Sequence, residues 1–450
     1  MTIKTYNYKK KTYTCKNRTR KNTPIVRVPD FGKIISEKEG WIVLQIQGDA
    51  YQRGYAHGYL LHKELKRVAD CFPFIVKHEI TADFDNYLKI CKRQISSVIK
   101  RDFPEIYEEL RGISDGSKRA GVDFPIDKLI AWNAITSMYT YFANQTPSRC
   151  TSFIATGSAT KDGNIVMAHN THCDFTTGQF SNIVLYIYPS AGAAFVMQTL
   201  PGYIASSLDW FICSTGIVGC ESTIGGMDHR PTFGSPYFCR IRTAMQYGKT
   251  FDDYKKIMLE KNAGDYSCSW FFGNIHTGEI MLLEIGKEKT LVDIKNDGVF
   301  YGMNSAHDFE IRNLETKDTQ FHDISVNSGS RNSRLDYLLN TKYYGAIAAD
   351  NAKQILSDHY DSFLSKNTMN NRSICRHGEL DNESYYPAGC VDGKVVDSRM
   401  AEKMEFLGRF GSSCGRNFNL KRWLKKHPEY KEWSNYLSDF PSTKWIQIHS

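Results

Sequence analysis

Hydrophobic and polar positions divide the chain into a helical part before residue 150 and a strand-rich part after it. Residues 40–47 alternate as a β-strand does, and Asp49 is a good N-cap for the helical pattern that follows. Helical patterns cover residues 50–72, 84–100, 104–120 and 126–142. Gly54 and Gly58 are costly inside a helix, so we expect another backbone to approach the first helix there.

Short alternating runs dominate the chain after residue 150. Asp162 and Gly163 separate two of them, as the turn of a β-hairpin does. Strand patterns cover residues 150–157, 164–170, 182–189, 193–200, 209–216, 217–223, 269–275, 279–286, 290–295 and 298–304, and helical patterns return at 236–261, 332–341, 349–365 and 398–409. Strands interleaved with pairs of helices predict an α+β fold of stacked sheets covered by helices.

Composition is that of a globular protein with a large core, since 41% of the 450 residues are hydrophobic and 24% are charged. No apolar run is long enough to span a membrane, and the polar start does not resemble a secretory signal, so we expect a cytosol-like compartment. Residues 1–30 hold nine basic residues and one acidic residue, whereas the rest of the chain holds 48 of each. The net charge of +8 therefore belongs to a tail, which we expect to be disordered. Contact of this tail with an anionic surface is the alternative, and no specific nucleic-acid site is predicted.

The chain carries no motif for a cofactor or a metal. Its twelve cysteines form no Cys-x-x-Cys pair, and there is no Walker, GxGxxG or HExxH motif. His169 and His172 invite a metal interpretation, but on a strand their side chains point to opposite faces. We therefore predict no cofactor, no metal ion and mostly reduced thiols.

Cys150 opens the first strand after the helical part. On spacing alone, such a cysteine is commonly a small core residue. The motifs around it are, in order, GDAYQRGYAHG at 48–58, CTS at 150–152, AHNT at 168–171, ESTIGG at 221–226, GMNS at 302–305, SRNSRLDYLL at 330–339, SICRHGELDN at 373–382 and CVDGKVVD at 390–397. In this ordered set the chain resembles the phospholipase B-like family of N-terminal nucleophile hydrolases and, more distantly, the penicillin acyltransferase-type cysteine hydrolases.

The resemblance implies a four-layer αββα sandwich with a mostly helical N-terminal segment. It also implies a precursor that cuts its own Arg149–Cys150 bond into residues 31–149 and 150–450, which stay packed as one unit. A thiol can attack the carbonyl that precedes it, and hydrolysis of the resulting thioester frees the α-amine of Cys150. This amine titrates near pH 8, so one residue supplies both the nucleophile and the general base.

The resemblance also implies roles for several polar residues. Asn304 would be an oxyanion or carbonyl donor, and Arg331 an orienting partner for which Arg334 competes; the alternatives are a strand end and a helix cap or ion pair. His169 would orient the nucleophile or bind the substrate. Asn170, Thr171, Glu221 and Thr223 would lie near the substrate, although a strand end with a glycine turn explains the last two equally well. Asp174 lies two residues beyond the aspartate of the acyltransferase relatives, and Arg376, His377 and Asp381 are given structural roles.

These features together predict an autoprocessed cysteine hydrolase that cleaves an amide or ester acyl bond through a Cys150 thioester. The substrate would be a small acyl ester or acyl amide, with phospholipid as one candidate. Acyl transfer to an amine is one alternative. A non-catalytic binding protein that uses its basic tail is another, and the oligomeric state stays open.

Overall fold

The computed structural model describes residues 28–143, 150–228, 230–317, 320–382 and 386–450. Within these ranges the protein is a mixed α+β structure with 15 α-helices and two large sheets. None of the helices in these ranges is long and apolar enough to cross a membrane. Of the tail predicted to be disordered over residues 1–30, residues 1–27 lie outside the described residues, as does Arg149. The prediction is wrong for residues 28–30, which belong to a short helix, Val28–Phe31.

The strands and helices follow one another along the chain with few long connections. The strands are β1 (Gly32–Lys38), β2 (Trp41–Gly48), β3 (Cys150–Gly157), β4 (Gly163–Asp174), β5 (Ile183–Pro189), β6 (Phe195–Thr199), β7 (Trp210–Cys213), β8 (Ile217–Thr223), β9 (Cys268–Asn274), β10 (Glu279–Ile285), β11 (Thr290–Lys295), β12 (Gly298–Gly302), β13 (Tyr360–Asp361), β14 (Lys366–Asn367), β15 (Ala388–Cys390), β16 (Asp392–Asp397), β17 (Phe406–Phe410) and β18 (Ile446–Ile448). The helices are α1 (Val28–Phe31), α2 (Ala50–Leu60), α3 (His62–Glu79), α4 (Phe84–Ile90), α5 (Ser97–Asp102), α6 (Pro104–Arg119), α7 (Ile126–Asn133), α8 (Ile135–Ala143), α9 (Phe175–Gly178), α10 (Tyr237–Tyr247), α11 (Phe251–Leu259), α12 (Asn327–Tyr337), α13 (Ala349–Leu356), α14 (Ser398–Ala401) and α15 (Leu420–Leu424). The described residues also include π-helical segments at Cys91–Ser96, Ile311–Glu315 and Leu338–Lys342 and 3-10 helices at Gly378–Leu380 and Pro428–Asn435.

Two sheets organise these strands. In the described ranges, one sheet has nine strands in the order β1-β2-β5-β6-β7-β8-β9-β10-β11, and the other has seven, in the order β12-β3-β4-β16-β17-β18 with β15 also paired to β4. Neighbours are antiparallel except β2 and β5, which run parallel. The segment before residue 150 therefore supplies the first two strands of the larger sheet.

Apolar side chains lie on both faces of each sheet. Val184 of the nine-stranded sheet and Met167 of the seven-stranded sheet belong to one core that the two sheets share. A second core joins the other face of the nine-stranded sheet to helices before residue 150 and to α10 and α11. A third core joins Ala168 on the other face of the seven-stranded sheet to Leu335 of α12 and Ile355 of α13. Strands buried on both faces explain why their sequences are almost continuously apolar.

Most predicted elements are confirmed, but one strand was missed, two predicted helices end early, and the helix predicted over 236–261 is two helices, α10 and α11, separated at Gly248. The strand at 40–47, the hairpin around Gly163 and the helices before residue 143 are present, whereas β1 was not predicted. The helix predicted over 349–365 is wrong beyond Leu356, because the chain turns there and Asp358 pairs with a neighbouring arginine. The helix predicted over 398–409 is wrong beyond Ala401, because Phe406–Phe410 alternate between core and surface as a strand.

The predicted backbone approach to the glycines of α2 is confirmed. A methyl group added at Gly58 would lie 2.0 Å from the carbonyl oxygen of Ile113 in α6, and one added at Gly54 would lie 2.1 Å from that of Glu109. Glycines of α6 face α2 in the same way: a methyl group on Gly116 would lie 2.1 Å from the carbonyl oxygen of Tyr55. The two helix backbones touch, so glycine is required for reasons of space.

A buried histidine joins α2 to the loop after β6. The Nε2 atom of His57 accepts a hydrogen bond from the backbone N–H of Gly202 at 3.0 Å. Burial lowers the pKa of His57 from its usual 6.5 to about 4, so the ring is neutral in the folded protein near pH 7. The unfolded chain would bind a proton there at a higher pH.

The free energy of unfolding should therefore fall as the pH drops from 6.5 to 4, because only the unfolded chain is then protonated at His57. We expect His57 to account for about 3 kcal/mol of the loss. The variant His57→Gln keeps an acceptor for Gly202. Between pH 6.5 and pH 4 its free energy of unfolding should fall by about 3 kcal/mol less than that of wild type, as measured by denaturant titrations at the two pH values. His322→Gln, at an exposed histidine, is the control. Equal losses in all three proteins would contradict the assignment.

Candidate active site around Cys150

Cys150 is the first residue of β3, and its side chain points towards the space between the two sheets. It lies opposite Thr171 of β4, while Ser152 lies opposite His169. His169 in turn lies opposite Lys394 of β16. Residues directly opposite each other on paired strands share one face of the sheet, and so do residues two positions apart on the same strand. Cys150, His169, Thr171 and Lys394 therefore form one polar surface.

A thiol, an imidazole and a carboxylate meet on this surface. We call Cys150, His169 and Asp209 the Cys150 cluster: the Sγ atom, one ring nitrogen and one carboxylate oxygen all lie within 4.8 Å of one another. The Sγ–H of Cys150 is oriented to donate to Oδ2 of Asp209, 3.9 Å away. All three side chains are buried, so water does not compete for these contacts.

The protonation of His169 follows from its surroundings. Its Nε2 atom lies 2.9 Å from the backbone carbonyl oxygen of Glu221 and must donate to it, because a carbonyl only accepts. Burial, followed by the charge of Lys394, lowers the pKa of His169 well below its usual value. The ring is therefore neutral, and its Nδ1 atom carries a lone pair, with no hydrogen-bond donor to it among the described residues.

Lys394 places a buried positive charge beside the cluster. Its Nζ atom lies 3.0 Å from Oδ1 of Asp392, donates to Oγ1 of Thr171 at 2.8 Å and donates to the carbonyl oxygen of Leu208 at 3.1 Å. The pKa of the Cys150 thiol is raised well above its usual value, chiefly by burial and then by the charge of Asp209, while Lys394 acts in the opposite direction. The thiol is therefore protonated in this state and needs a base before it can attack.

Arg331 holds the backbone of the nucleophile. One Nη atom donates to the carbonyl oxygen of Cys150 at 2.8 Å and to Oγ1 of Thr151 at 2.9 Å. The other donates to the carbonyl oxygen of Met303 and to Oδ1 of Asn304, both at 2.8 Å. Arg331 is fully buried in α12. Its guanidinium therefore links the start of β3 to the residues that follow β12.

Asn304 is oriented by contacts on both ends of its amide. Arg331 fixes the oxygen, and the Nδ2 atom donates to the carbonyl oxygen of Thr223 at 3.0 Å and to Oγ of Ser222 at 3.3 Å. Its φ of 79° is left-handed, a conformation that asparagine tolerates better than most residues.

The structure does not bring all the predicted site residues to the thiol. Asn170 lies on the opposite face of β4, where its amide donates to the carbonyl oxygen of Leu356 at 2.8 Å. Arg334 forms a bidentate pair with Asp358 at 2.9 and 2.7 Å, which leaves Arg331 as the arginine of the site. Asp174 caps α9.

The two predicted substrate residues of β8 have other partners. The hydroxyl of Tyr266 donates to Oε2 of Glu221 at 3.3 Å and contacts the hydroxyl of Thr223. Glu221 faces His169 with its backbone carbonyl. The Glu221 carboxylate acts on the site through its charge, which raises the pKa of the Cys150 thiol after burial and Asp209 do. The direct contacts are made by backbone carbonyls, that of Glu221 to His169 and that of Thr223 to Asn304.

Sequence reasoning missed Asp209 and Lys394. Lys394 stands in the motif CVDGKVVD, where a lysine in a run otherwise typical of a buried strand was the available signal. Asp209 precedes β7 with a φ of 58°, and its sequence carries no comparable signal. Both reach the site only through pairing between strands that are distant in the chain.

A surface cleft of about 290 Å³ lies elsewhere. It is lined by residues of 379–382 and 416–427, including Asp381, Trp423 and His427. None of the residues around Cys150 lines it, and Cys150 itself is 1% exposed. The cleft is therefore no route to the thiol.

Comparisons with known proteins give partial likenesses. No known protein-family profile matches the chain. The chain is 27% identical over 240 residues to an uncharacterized protein of Archaeoglobus fulgidus, a match that covers 49% of the chain and 39% of that protein. Two solved variants of the conjugated bile acid hydrolase from Clostridium perfringens have TM-scores of 0.32 and 0.37. They are 10% and 12% identical to the chain, and the matches cover 58% of it and 88% and 89% of those proteins. At such scores the likeness is coarse.

Proposed function

We propose that the protein is a cysteine hydrolase of the N-terminal nucleophile type, which cuts its own chain before Cys150 and then cleaves an amide or ester acyl bond. The observation that carries this proposal is the position of Cys150. Its thiol opens a strand beside a neutral imidazole and a carboxylate, and a buried arginine holds its carbonyl. A cysteine that served only as core filling would need none of these polar neighbours.

Maturation would use the thiol against the peptide bond before it. Sγ attacks the carbonyl carbon of Arg149, the C–N bond to Cys150 breaks, and the acyl group moves from nitrogen to sulfur as a thioester. The thiol proton passes to the departing nitrogen. Water then hydrolyses the thioester, which leaves a carboxylate on Arg149 and restores the thiol of Cys150 together with a free α-amine.

Turnover would repeat the same acyl transfer on a substrate. The α-amine takes the Sγ proton, the thiolate attacks the acyl carbon, and the Nδ2–H of Asn304 donates to the resulting oxyanion. The protonated amine passes its proton to the leaving amine or alcohol. Water, activated by the same amine, then cleaves the thioester and releases the acid.

His169 has a supporting role in this scheme. Because its pKa is well below the usual value, it is a poor proton acceptor compared with an α-amine that titrates near pH 8. Its ring nevertheless offers the Sγ–H of Cys150 a second acceptor beside Asp209, and Lys394 can stabilise the thiolate once it forms. Removal of a charge from buried Lys394 would raise the thiol pKa further.

The chain organisation forms part of the proposal. Residues 31–149 and 150–450 would be the small and large chains of one unit, and the fold would be a four-layer αββα sandwich. Three apolar cores support this layering, one between the sheets and one on the outer face of each. Phospholipid is one acyl ester within the proposed substrate class, and small acyl amides are another.

Intact-mass analysis of wild type beside Cys150→Ala tests the proposal. Wild type should give two fragments of about one third and two thirds of the mass, and Cys150→Ala should stay whole, because alanine has no nucleophile. Cys239→Ala, at another buried cysteine, should be cut as wild type is. A wild-type chain that stays whole over a range of pH values would contradict the proposal.

The mature protein would then be given labelled acyl donors. Release of acid from an acyl amide, an acyl ester or phospholipid vesicles would identify the substrate class. Transfer of label to an added amine in preference to water would make the enzyme an acyltransferase.

A further inference from the structure

Four metal-binding side chains converge on the far side of β4 from Cys150. We call His359, Cys375, His377 and Cys414 the four-ligand cluster: one donor atom of each lies within 4.8 Å of all the others. They come from three separate segments, namely the turn after α13, the loop before β15 and the turn after β17. No metal was predicted from the sequence, because Cys375 and Cys414 belong to no Cys-x-x-Cys pair.

The spacing of the donor atoms fits a tetrahedral ion. With zinc–sulfur bonds of about 2.3 Å and zinc–nitrogen bonds of about 2.05 Å, tetrahedral ligands lie about 3.4 Å apart for two nitrogens and about 3.6 Å apart for a nitrogen and a sulfur. The Nε2 atoms of His359 and His377 lie 3.2 Å apart. Nε2 of His377 lies 3.5 Å from Sγ of Cys375 and 3.5 Å from Sγ of Cys414. All three distances match a metal site at its centre.

The orientation of His377 also points to an ion. Its Nδ1 atom lies 2.9 Å from Oε1 of Glu379 and donates to that carboxylate, which only accepts, so Nε2 is the ring atom available to an ion. Nε2 faces both sulfurs and the second imidazole. A carboxylate behind a histidine is the usual outer partner of a zinc-bound imidazole, which it orients and makes more basic.

We propose that His359, Cys375, His377 and Cys414 bind a structural Zn²⁺ ion. Two thiolates and two imidazoles are a donor set that zinc prefers, and four protein ligands leave no open position for a substrate. Cys375 and His377 are buried, and His359 and Cys414 are partly exposed. The ion can therefore enter from the side of His359 and Cys414, and Cys375 and His377 then shield it from solvent on the other side.

The ion would support the face of β4 that lies opposite the Cys150 cluster. Asn170, next to His169 in β4, donates to the carbonyl oxygen of Leu356, three residues before the first ligand. The hydroxyl of Ser413, beside the last ligand, donates to the same carbonyl at 2.7 Å. The backbone N–H of Cys375 donates to the carbonyl of Asp358 at 3.1 Å. The three segments that carry the ligands are thus already joined by hydrogen bonds, and a metal ion would link them further.

Metal analysis of the full-length chain tests this inference. Wild type, loaded with Zn²⁺ alone and freed of excess, should hold one zinc per chain. Co²⁺ in its place should give the visible bands of a tetrahedral thiolate site. His359→Gln, at a partly exposed ligand, should lower the affinity for Zn²⁺ by at least about 10-fold. Cys375→Ser should lose the metal and the thiolate band.

Two controls separate this site from the Cys150 cluster. Cys150→Ala should keep its zinc and its cobalt spectrum, whether or not the chain cuts itself, so the metal result does not depend on the proposed activity. Cys239→Ser should also keep both. Zinc-free wild type after loading, a zinc content unchanged in Cys375→Ser, or a disulfide between Cys375 and Cys414 in peptide mapping would each overturn the proposal.

Discussion

Replacement of Arg331 by lysine should slow self-cleavage and acyl hydrolysis by about 10²- to 10³-fold. A single ammonium group cannot reach both the carbonyl of Cys150 and the amide oxygen of Asn304, which the guanidinium holds with two different nitrogens. Asn304 would then be free to turn, and the oxyanion would lose its oriented donor. The rate of appearance of the two fragments, followed by mass spectrometry, measures the first effect. Initial rates with an acyl donor measure the second.

Arg334→Lys is the matched control for this prediction. Arg334 lies one turn further along α12 and pairs with Asp358 instead of the site. We expect the control to cut itself and turn over within about threefold of wild type. Both variants would be compared at a temperature at which each is folded by circular dichroism. An Arg331→Lys protein as active as the control would mean that Arg331 only supports the helix.

Glu109→Gln should lower the free energy of unfolding by about 3–5 kcal/mol. Glu109 lies at the crossing of α2 and α6, where its Oε2 atom is 2.7 Å from Nε of Arg53 and 2.7 Å from Nη2 of Arg242. All three side chains are at most 2% exposed. An amide would leave two arginines close together with less negative charge to balance them. The shift in the denaturant midpoint measures the loss.

Glu108→Gln gives the reference for that loss. Its carboxylate pairs with Arg111 on the surface, where both side chains are more than 40% exposed, and such a pair is worth at most about 1 kcal/mol. The combined variant of Glu109→Leu with Arg242→Met should regain part of the stability lost in Glu109→Gln, because apolar groups can replace a buried ion pair. A loss in Glu109→Gln no larger than in the control would show that water reaches the crossing.

Local signals predicted much of this fold. The Asp162-Gly163 turn and the alternation on either side of it place Cys150 opposite the segment that carries His169. The glycines of α2 predicted a close helix crossing, although not its partner. The helices predicted over 349–365 and 398–409 failed where a β-strand or a turn follows a short helix, since helical periodicity cannot be judged over one or two turns.

The chemistry of the site depends on pairings that no local pattern reveals. Lys394 reaches the Cys150 cluster because β16 lies beside β4, more than two hundred residues earlier in the chain. Asp209 arrives through the nine-stranded sheet, and the ligands of the four-ligand cluster come from three separate turns. Likewise, Asn170 and His169 are adjacent in sequence but face opposite sides of β4, which the alternation of a strand predicts once the strand itself is known.

The parallel pairing of β2 with β5 has a consequence for the life of the molecule. Residues from Ile42 to Gly48 lie alongside residues from Ile183 to Pro189, so a break at residue 150 would leave two polypeptides that share one sheet. Assembly has to precede the break. Afterwards, refolding would require two separate chains to associate, at a rate that falls on dilution. A dilute mature sample should therefore fail to regain its circular dichroism spectrum after heating, under conditions in which the uncut Cys150→Ala chain regains its own.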